Sequence, residues 1–260
     1  MTDRALLVGI NAYPGQPLNG CVNDVTDMAE FLTGPLNFAQ DSVRLLVDAR
    51  ATTEAIQERL DWLVAGAVAG DRLFFHYSGH GTQFPVRDAA GSVSELHNAI
   101  CPVDFDWSRE HALLDVDLQT MIDRVPLNTQ FIFVSDSCNS GDLTRAFRRW
   151  RPRFYVPPAD IAWRLRTALA KGLAPLQLTH DRCALVSGCQ SDQESADALI
   201  NERYNGALTY YLLQTLKAPG GKVLPLTTLV ANVVTILHAA NYTQTPQLRG
   251  PEALTGGPFF

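Results

Sequence analysis

Charge is scarce in this chain. Charged residues fill 18% of its 260 positions, and the formal net charge is −6. No basic excess is available to hold nucleic acid or an anionic membrane surface. Long apolar runs are missing too. None approaches the roughly 18 residues of a membrane span, so no membrane segment is expected. Met1-Thr2-Asp3-Arg4 leads directly into a short apolar stretch, and no secretory leader is expected. The five cysteines (21, 101, 138, 183 and 189) include no pair with CxxC spacing. That disfavours a zinc knuckle, and their odd number points to a reducing, cytoplasmic-type compartment. There is no internal repeat and no low-complexity tract. The hydrophobic content of 46% suffices for a substantial core, and residues 1–260 read as a single domain.

Strands and helices alternate along the chain. Residues 4–10, 42–49, 72–77, 131–135 and 183–189 read as buried strands, with a late strand at 245–248 and a short, proline-broken piece at 99–104. Helices are expected over 18–32, 52–69, 116–124, 159–171, 207–217 and 227–240. Residues 84–97 and 190–205 are polar and read as loops. This alternation is the signature of a largely parallel sheet covered on both faces. A flavodoxin-like nucleotide binder would share it. However, Gly9-Ile10-Asn11-Ala12 after the first strand is too poor in glycine for a phosphate loop.

Two stretches share one grammar. Gln130-Phe131-Ile132-Phe133-Val134 runs into Ser135-Asp136-Ser137-Cys138-Asn139-Ser140-Gly141, and Arg72-Leu73-Phe74-Phe75-His76 runs into Tyr77-Ser78-Gly79-His80-Gly81. Each is an apolar strand delivering a reactive side chain at its carboxyl end, where open α/β sheets bind ligands. A lone cysteine there could be a small buried thiol; a cysteine and a histidine together suit acyl transfer. The thiolate attacks a carbonyl, and the imidazole handles the proton. The oxyanion needs donors, and the N–H groups of Gly81 and Cys138 are the candidates. His76 is a rival base, but it lies within the apolar run and is expected to point into the sheet or a covering helix. His97, His111, His180 and His238 lack a comparable setting.

These two motifs resemble the active-site motifs of the metacaspases and bacterial caspase-like cysteine peptidases. Further stretches are similar in the same order. They are Val8-Gly9-Ile10-Asn11, Gly20-Cys21-Val22-Asn23-Asp24-Val25, Ile100-Cys101-Pro102-Val103-Asp104, Val186-Ser187-Gly188-Cys189-Gln190-Ser191-Asp192-Gln193, Gly206-Ala207-Leu208-Thr209-Tyr210 and Thr245-Pro246-Gln247-Leu248. The resemblance implies a caspase-like three-layer αβα sandwich with a mostly parallel central sheet. It implies a cysteine endopeptidase cutting after Arg or Lys, with Cys138 as nucleophile and His80 as general acid–base. It also implies an acidic pocket for the basic side chain at Cys21, Asp24, Ser78 and Asp136. Paired carboxylates in a desolvated pocket are a natural seat for a guanidinium.

The pattern departs from the family in two places. Asn139 stands where the family usually has His. The loop after His80 carries only Asp88, Glu95, Asp104 and Asp106, with Asn98 where an acid is common. Calcium takes six to eight oxygen ligands, so no strong calcium site is expected, nor any metal or other cofactor. The basic segment within 142–180, with Arg145, Arg148, Arg149, Arg151, Arg153, Arg164, Arg166 and Lys171, reads as an internal linker that the enzyme processes itself. Partners are expected to be protein or peptide substrates with basic residues, and not nucleic acid or membrane. The chain is expected to be a monomer. The competing reading is a caspase-like fold without protease activity, acting as a binding or regulatory module; both dyad residues are present, which argues against it.

Overall fold

The structure is a computed structural model and describes residues 2–139, 150–175, 181–190 and 193–260. In chain order the elements are β1 (Asp3–Gly9), α1 (Cys21–Thr33), β2 (Val43–Val47), α2 (Thr53–Val64), β3 (Arg72–Ser78), β4 (Gly81–Arg87), β5 (Val93–Ile100), β6 (Leu113–Leu114), α3 (Asp115–Ile122) and β7 (Gln130–Asp136). They continue with β8 (Arg151–Pro152), α4 (Ala159–Ala170), β9 (Ala184–Ser187), β10 (Ala196–Ile200), β11 (Arg203–Gly206), α5 (Ala207–Lys217), α6 (Leu226–Ala239), β12 (Gln247–Arg249) and α7 (Glu252–Thr255).

The central sheet has the order β12-β9-β7-β3-β1-β2. Every pairing in it is parallel except β12 against β9. Side chains alternate across each strand, so the two faces build separate cores. Leu6, Val8, Phe75, Tyr77, Phe131 and Phe133 pack with Ile56 and Leu60 of α2 and Leu118 of α3. Leu7, Phe74, Ile132 and Val134 pack with Met28 of α1, Leu212 of α5 and Leu229 of α6. This is the expected three-layer αβα arrangement.

The strand order reverses at β1: β2 pairs on one side of it and β3 on the other. That reversal is a topological switch point, where the connections leave the carboxyl ends in opposite directions and open a crevice.

Two segments read as loops are strands. Residues 84–97 belong to the β4–β5 hairpin, which with β6 makes an antiparallel sheet. Pro85 and the polar face of the hairpin hid it, although Phe84 and Leu96 are buried. Residues 190–205 contain β10 and β11, which form a second antiparallel sheet completed by β8. The helix expected over 52–69 ends at Val64, because Gly66 takes a left-handed backbone (φ +64°) beyond it. The strand expected at 42–49 is trimmed to Val43–Val47 by 3-10 turns on both sides. No helix among the described residues is long and apolar enough to cross a membrane.

Candidate active site

Strand register brings the two sequence motifs together. β3 and β7 are neighbours, with Ser78 paired to Asp136. His80 and Cys138 each lie two residues beyond those paired ends, at the same edge of the sheet. Gly81 is obligatory there, since a Cβ on it would lie 2.5 Å from the Cys138 carbonyl oxygen.

The pocket beside this pair is filled by the chain itself. Arg153, from the basic segment, is wholly buried. One guanidinium nitrogen, Nη2, donates to Asp24 Oδ2 at 2.7 Å and to Asp197 Oδ1 at 3.2 Å. The other, Nη1, donates to Ser78 Oγ at 2.7 Å and to the Asp136 carbonyl at 3.1 Å, with Asp136 Oδ1 at 3.4 Å. Three of the four residues expected to form the pocket therefore touch the cation. The fourth, Cys21, is buried in the first turn of α1. Burial pushes its thiol well up, with the nearby guanidinium pulling the other way.

Other groups hold each carboxylate. Asp24 accepts from Ser78 Oγ, Asn205 Nδ2 and the Gly206 amide. Asp136 accepts from the backbone and hydroxyl of Thr209 in the first turn of α5, a favourable place for an anion. Asp197 accepts from the amides of Asn19 and Gly20. Burial raises the Asp24 carboxyl to about 7, with Arg153 opposing the rise. The cluster thus puts several negative groups in a dry pocket, a costly arrangement unless a cation neutralises them.

Sequence reasoning missed Asp197 and Gly206. Both lie in or beside the stretch read as a polar loop. Gly206 forms the wall of the pocket: a Cβ there would lie 2.4 Å from Arg153 Nη1 and 2.2 Å from Asp136 Oδ2.

The Arg153 backbone completes the picture. Its carbonyl oxygen accepts from the Gly81 amide at 3.0 Å and the Cys138 amide at 3.1 Å, the two N–H groups expected to form an oxyanion hole. Its own amide donates to the Ser195 carbonyl at 3.1 Å. Residues 151 and 152, in β8, pair antiparallel with Asp197 and Ala196 of β10. The segment is laid down as an added strand, the way extended peptides commonly bind a sheet edge.

Cys138 is fully buried, its sulfur held between the amide and carbonyl of Ser195. Burial pushes its thiol well up. His80 Nε2 donates to the Gln16 carbonyl at 2.8 Å, which fixes the proton on that nitrogen. Its Nδ1 carries no hydrogen bond among the described residues, so the neutral ring keeps a free lone pair. Burial lowers this imidazole to about 4. His76 meets Thr209 Oγ1 at 3.2 Å, and burial lowers it to about 4 as well. It lies under α5, as its place in the apolar run implied. His97 is paired with Asp115 and Glu95. His180, Arg145, Arg148 and Arg149 lie outside the described residues. All five cysteines are free thiols.

Adjacent parallel strands that carry a cysteine and a histidine just beyond their ends, in a three-layer αβα sandwich, match the caspase-like fold that the sequence resemblance implies. A family model, the metacaspase peptidase C14 domain, matches residues 3–146. Metacaspase-1 of Arabidopsis thaliana is 32% identical over 231 residues, covering 82% of this chain and 59% of its own length. Metacaspase-7 of the same plant is 38% identical over 150 residues, covering 55% of this chain and 36% of its own length. Metacaspase-1 of Coccidioides immitis (strain RS) is 30% identical, with 94% and 60% covered. The chain belongs to the metacaspase family. It spans between about a third and three fifths of the length of these curated relatives. Among solved structures, a protein from Geobacter sulfurreducens superposes with a TM-score of 0.73 at 25% identity, covering 100% of this chain and 98% of that one. Caspase-1 of Spodoptera frugiperda superposes with a TM-score of 0.61 at 13% identity, covering 95% and 86%, a likeness of fold alone.

Proposed function

We propose that this chain is a cysteine endopeptidase that hydrolyses peptide bonds after Arg or Lys through a Cys138–His80 dyad, and that the first bond it cuts is its own Arg153–Phe154. The observation that carries this reading is the pose of Arg153. Its side chain lies on three carboxylates while its carbonyl accepts from two amides beside a cysteine, which is what an arginine substrate would do.

The proposed chemistry is that of a thiol and an imidazole acting as a pair. The Cys138 thiol gives its proton to the free Nδ1 of His80, and the sulfur attacks the Arg153 carbonyl carbon. Negative charge gathers on the carbonyl oxygen, where the Gly81 and Cys138 amides already point. His80, held by the Gln16 carbonyl, passes the proton to the Phe154 nitrogen as the C–N bond breaks. Water then hydrolyses the thioester, with His80 again moving the proton. Thiol and imidazole both rest neutral here, so the proton transfer accompanies attack.

In this reading the residues 1–260 are one peptidase domain, monomeric and working on basic proteins and peptides in a reducing, cytoplasmic-type compartment. No cofactor takes part. The acids considered for calcium are engaged locally: Asp104 accepts from the amide and hydroxyl of Thr53 at the start of α2, Asp106 pairs with His111, Glu95 with His97, and Asp88 accepts from the amides of Ala90 and Ser92. Activity is expected to be the same in EGTA and in calcium.

The test is turnover of matched fluorogenic peptides carrying Arg, Lys or Asp at the cut position, by wild type and Cys138→Ala. Arg and Lys peptides should be cleaved by wild type alone. Preference for Asp, or turnover by Cys138→Ala, would overturn the reading.

A further inference from the structure

We infer that the groove beyond the cut bond is a subsite for an aromatic residue two positions after the cleaved arginine. The inference rests on the proposed cleavage after Arg153, which makes Tyr155 the second residue on the leaving side. Tyr155 as a residue is 9% exposed, and its ring fits a box of four others. Phe105 lies at 5.1 Å between centroids, His80 at 5.6 Å, Tyr13 at 5.9 Å and Trp107 at 6.3 Å. Their planes meet that of Tyr155 at between 63° and 88°, the edge-to-face geometry that aromatic pairs favour.

The backbone sets which side chain enters the box. The Tyr155 amide donates to the Gly81 carbonyl at 2.9 Å, and Thr82 Oγ1 donates to the Tyr155 carbonyl at 3.2 Å. One residue further, the Gln16 side chain clamps Val156 through both its amide and its carbonyl. These bonds use main-chain atoms, so any peptide could make them. The register they impose, counted from the oxyanion amides, delivers the second leaving-side residue to the same rings.

Trp107 supplies a separate observation. It is only half-buried, and its backbone sits in the left-handed region at φ +70°. A bulky residue rarely adopts that conformation, and such strain collects where a side chain is held for binding. Tyr155 makes no hydrogen bond through its hydroxyl among the described residues, so the box reads the ring and Phe should serve as well as Tyr.

The first test uses the whole chain. Self-cleavage between Arg153 and Phe154 is followed by intact mass in wild type, Tyr155→Phe and Tyr155→Ala. The Phe variant should stay within about twofold of wild type and the Ala variant should slow about tenfold or more, the scale of one buried aromatic side chain. The second test works in trans, with the Tyr155→Ala chain, whose own ring no longer fills the box. Two peptides identical except for Tyr or Ala at the second leaving-side position should differ about tenfold or more in kcat/KM, and Trp107→Ala should shrink that ratio. An arginine aminocoumarin, which has no second leaving-side residue, separates the two failures. If it is cleaved while the Tyr and Ala peptides react equally, the subsite is wrong and the peptidase reading stands. If neither it nor either peptide is cleaved, the peptidase reading fails and takes the subsite with it.

Discussion

The carbonyl oxygen of Arg153 lies 3.1 Å from the amide nitrogen of Cys138, so one of the chain's own peptide bonds stands beside the cysteine proposed as nucleophile. Held in the same molecule, that bond meets the thiol at high effective concentration. Wild type should therefore divide into two fragments between Arg153 and Phe154, Cys138→Ala should stay whole, and Arg153→Gln should lose that cut. Intact mass reads all three. Fragments that end elsewhere while residue 153 stays joined to 154 would show that the pose is not a reactive one.

The three carboxylates should act as a unit. Removing one partner from a buried charge pair costs about 2–5 kcal/mol, or roughly 30-fold to several thousand-fold in transition-state stabilisation. Asp24→Asn, Asp136→Asn and Asp197→Asn should each lower kcat/KM for an arginine peptide by about 30-fold or more. Because each change also loosens Arg153, alkylation of Cys138 by a small uncharged reagent should speed up rather than slow down. Unchanged arginine cleavage in Asp197→Asn would remove that residue from the pocket.

Gly206 makes a sharper case. A methyl group there would stand 2.4 Å from the Arg153 guanidinium, on backbone whose φ of −70° any residue accepts. Gly206→Ala should lower the melting temperature, because the buried Asp136 carboxylate must shift as well, and the chain that still folds should neither cut itself nor turn over arginine peptides. Ordinary arginine turnover would mean that the strand can shift to make room.

Acid stability should carry the mark of His76. Burial lowers this imidazole from 6.5 to about 4, so the unfolded chain takes up its proton first as pH falls. The stability it contributes is present above about 6.5 and is lost on the way down to about 4. Asp24, raised to about 7, and His97, also raised, act in the opposite sense. A difference between variants isolates the one group. In a Cys138→Ala background, His76→Gln should reduce the acid-induced loss of stability by about 1.4 kcal/mol per pH unit within that window. Parallel unfolding curves at pH 7 and pH 5 for both chains would contradict it.

The sequence showed the site more clearly than the frame around it. His80 and Cys138 drew attention because each follows an apolar strand whose pattern is visible in the residues, whereas Asp24, Ser78 and Asp136 came from the resemblance to the metacaspases and not from any local pattern. Asp197 was hidden because β10 and β11 are short and carry Asn201-Glu202 with left-handed backbone at their turn, so polarity outweighed pattern. The hairpin of β4 and β5 was hidden by Pro85 and by a solvent-facing side rich in Gln, Ser and Glu. Arg153 was one basic residue among many. Nothing local distinguishes it, because what selects it is the reach of the segment to a pocket assembled from β3, β7, α1 and β10.

The two sides of the Arg153–Phe154 bond are pinned independently, Arg153 by its carboxylates and β10, and residues 155 and 156 by Gly81, Thr82 and Gln16. A free peptide loses its amine half to solvent once the thioester forms, but if the Arg153–Phe154 bond is cut as proposed, the new amine of Phe154 should stay beside the acyl group that it has just left. It would then compete with water for that group, so resealing should accompany cutting and the chain should act as its own slow inhibitor. The balance should tip when something draws residues 154–158 out of their groove. Urea too dilute to unfold the sheet should therefore raise the yield of severed chain, and a yield that falls in step with activity would argue that the amine departs unaided.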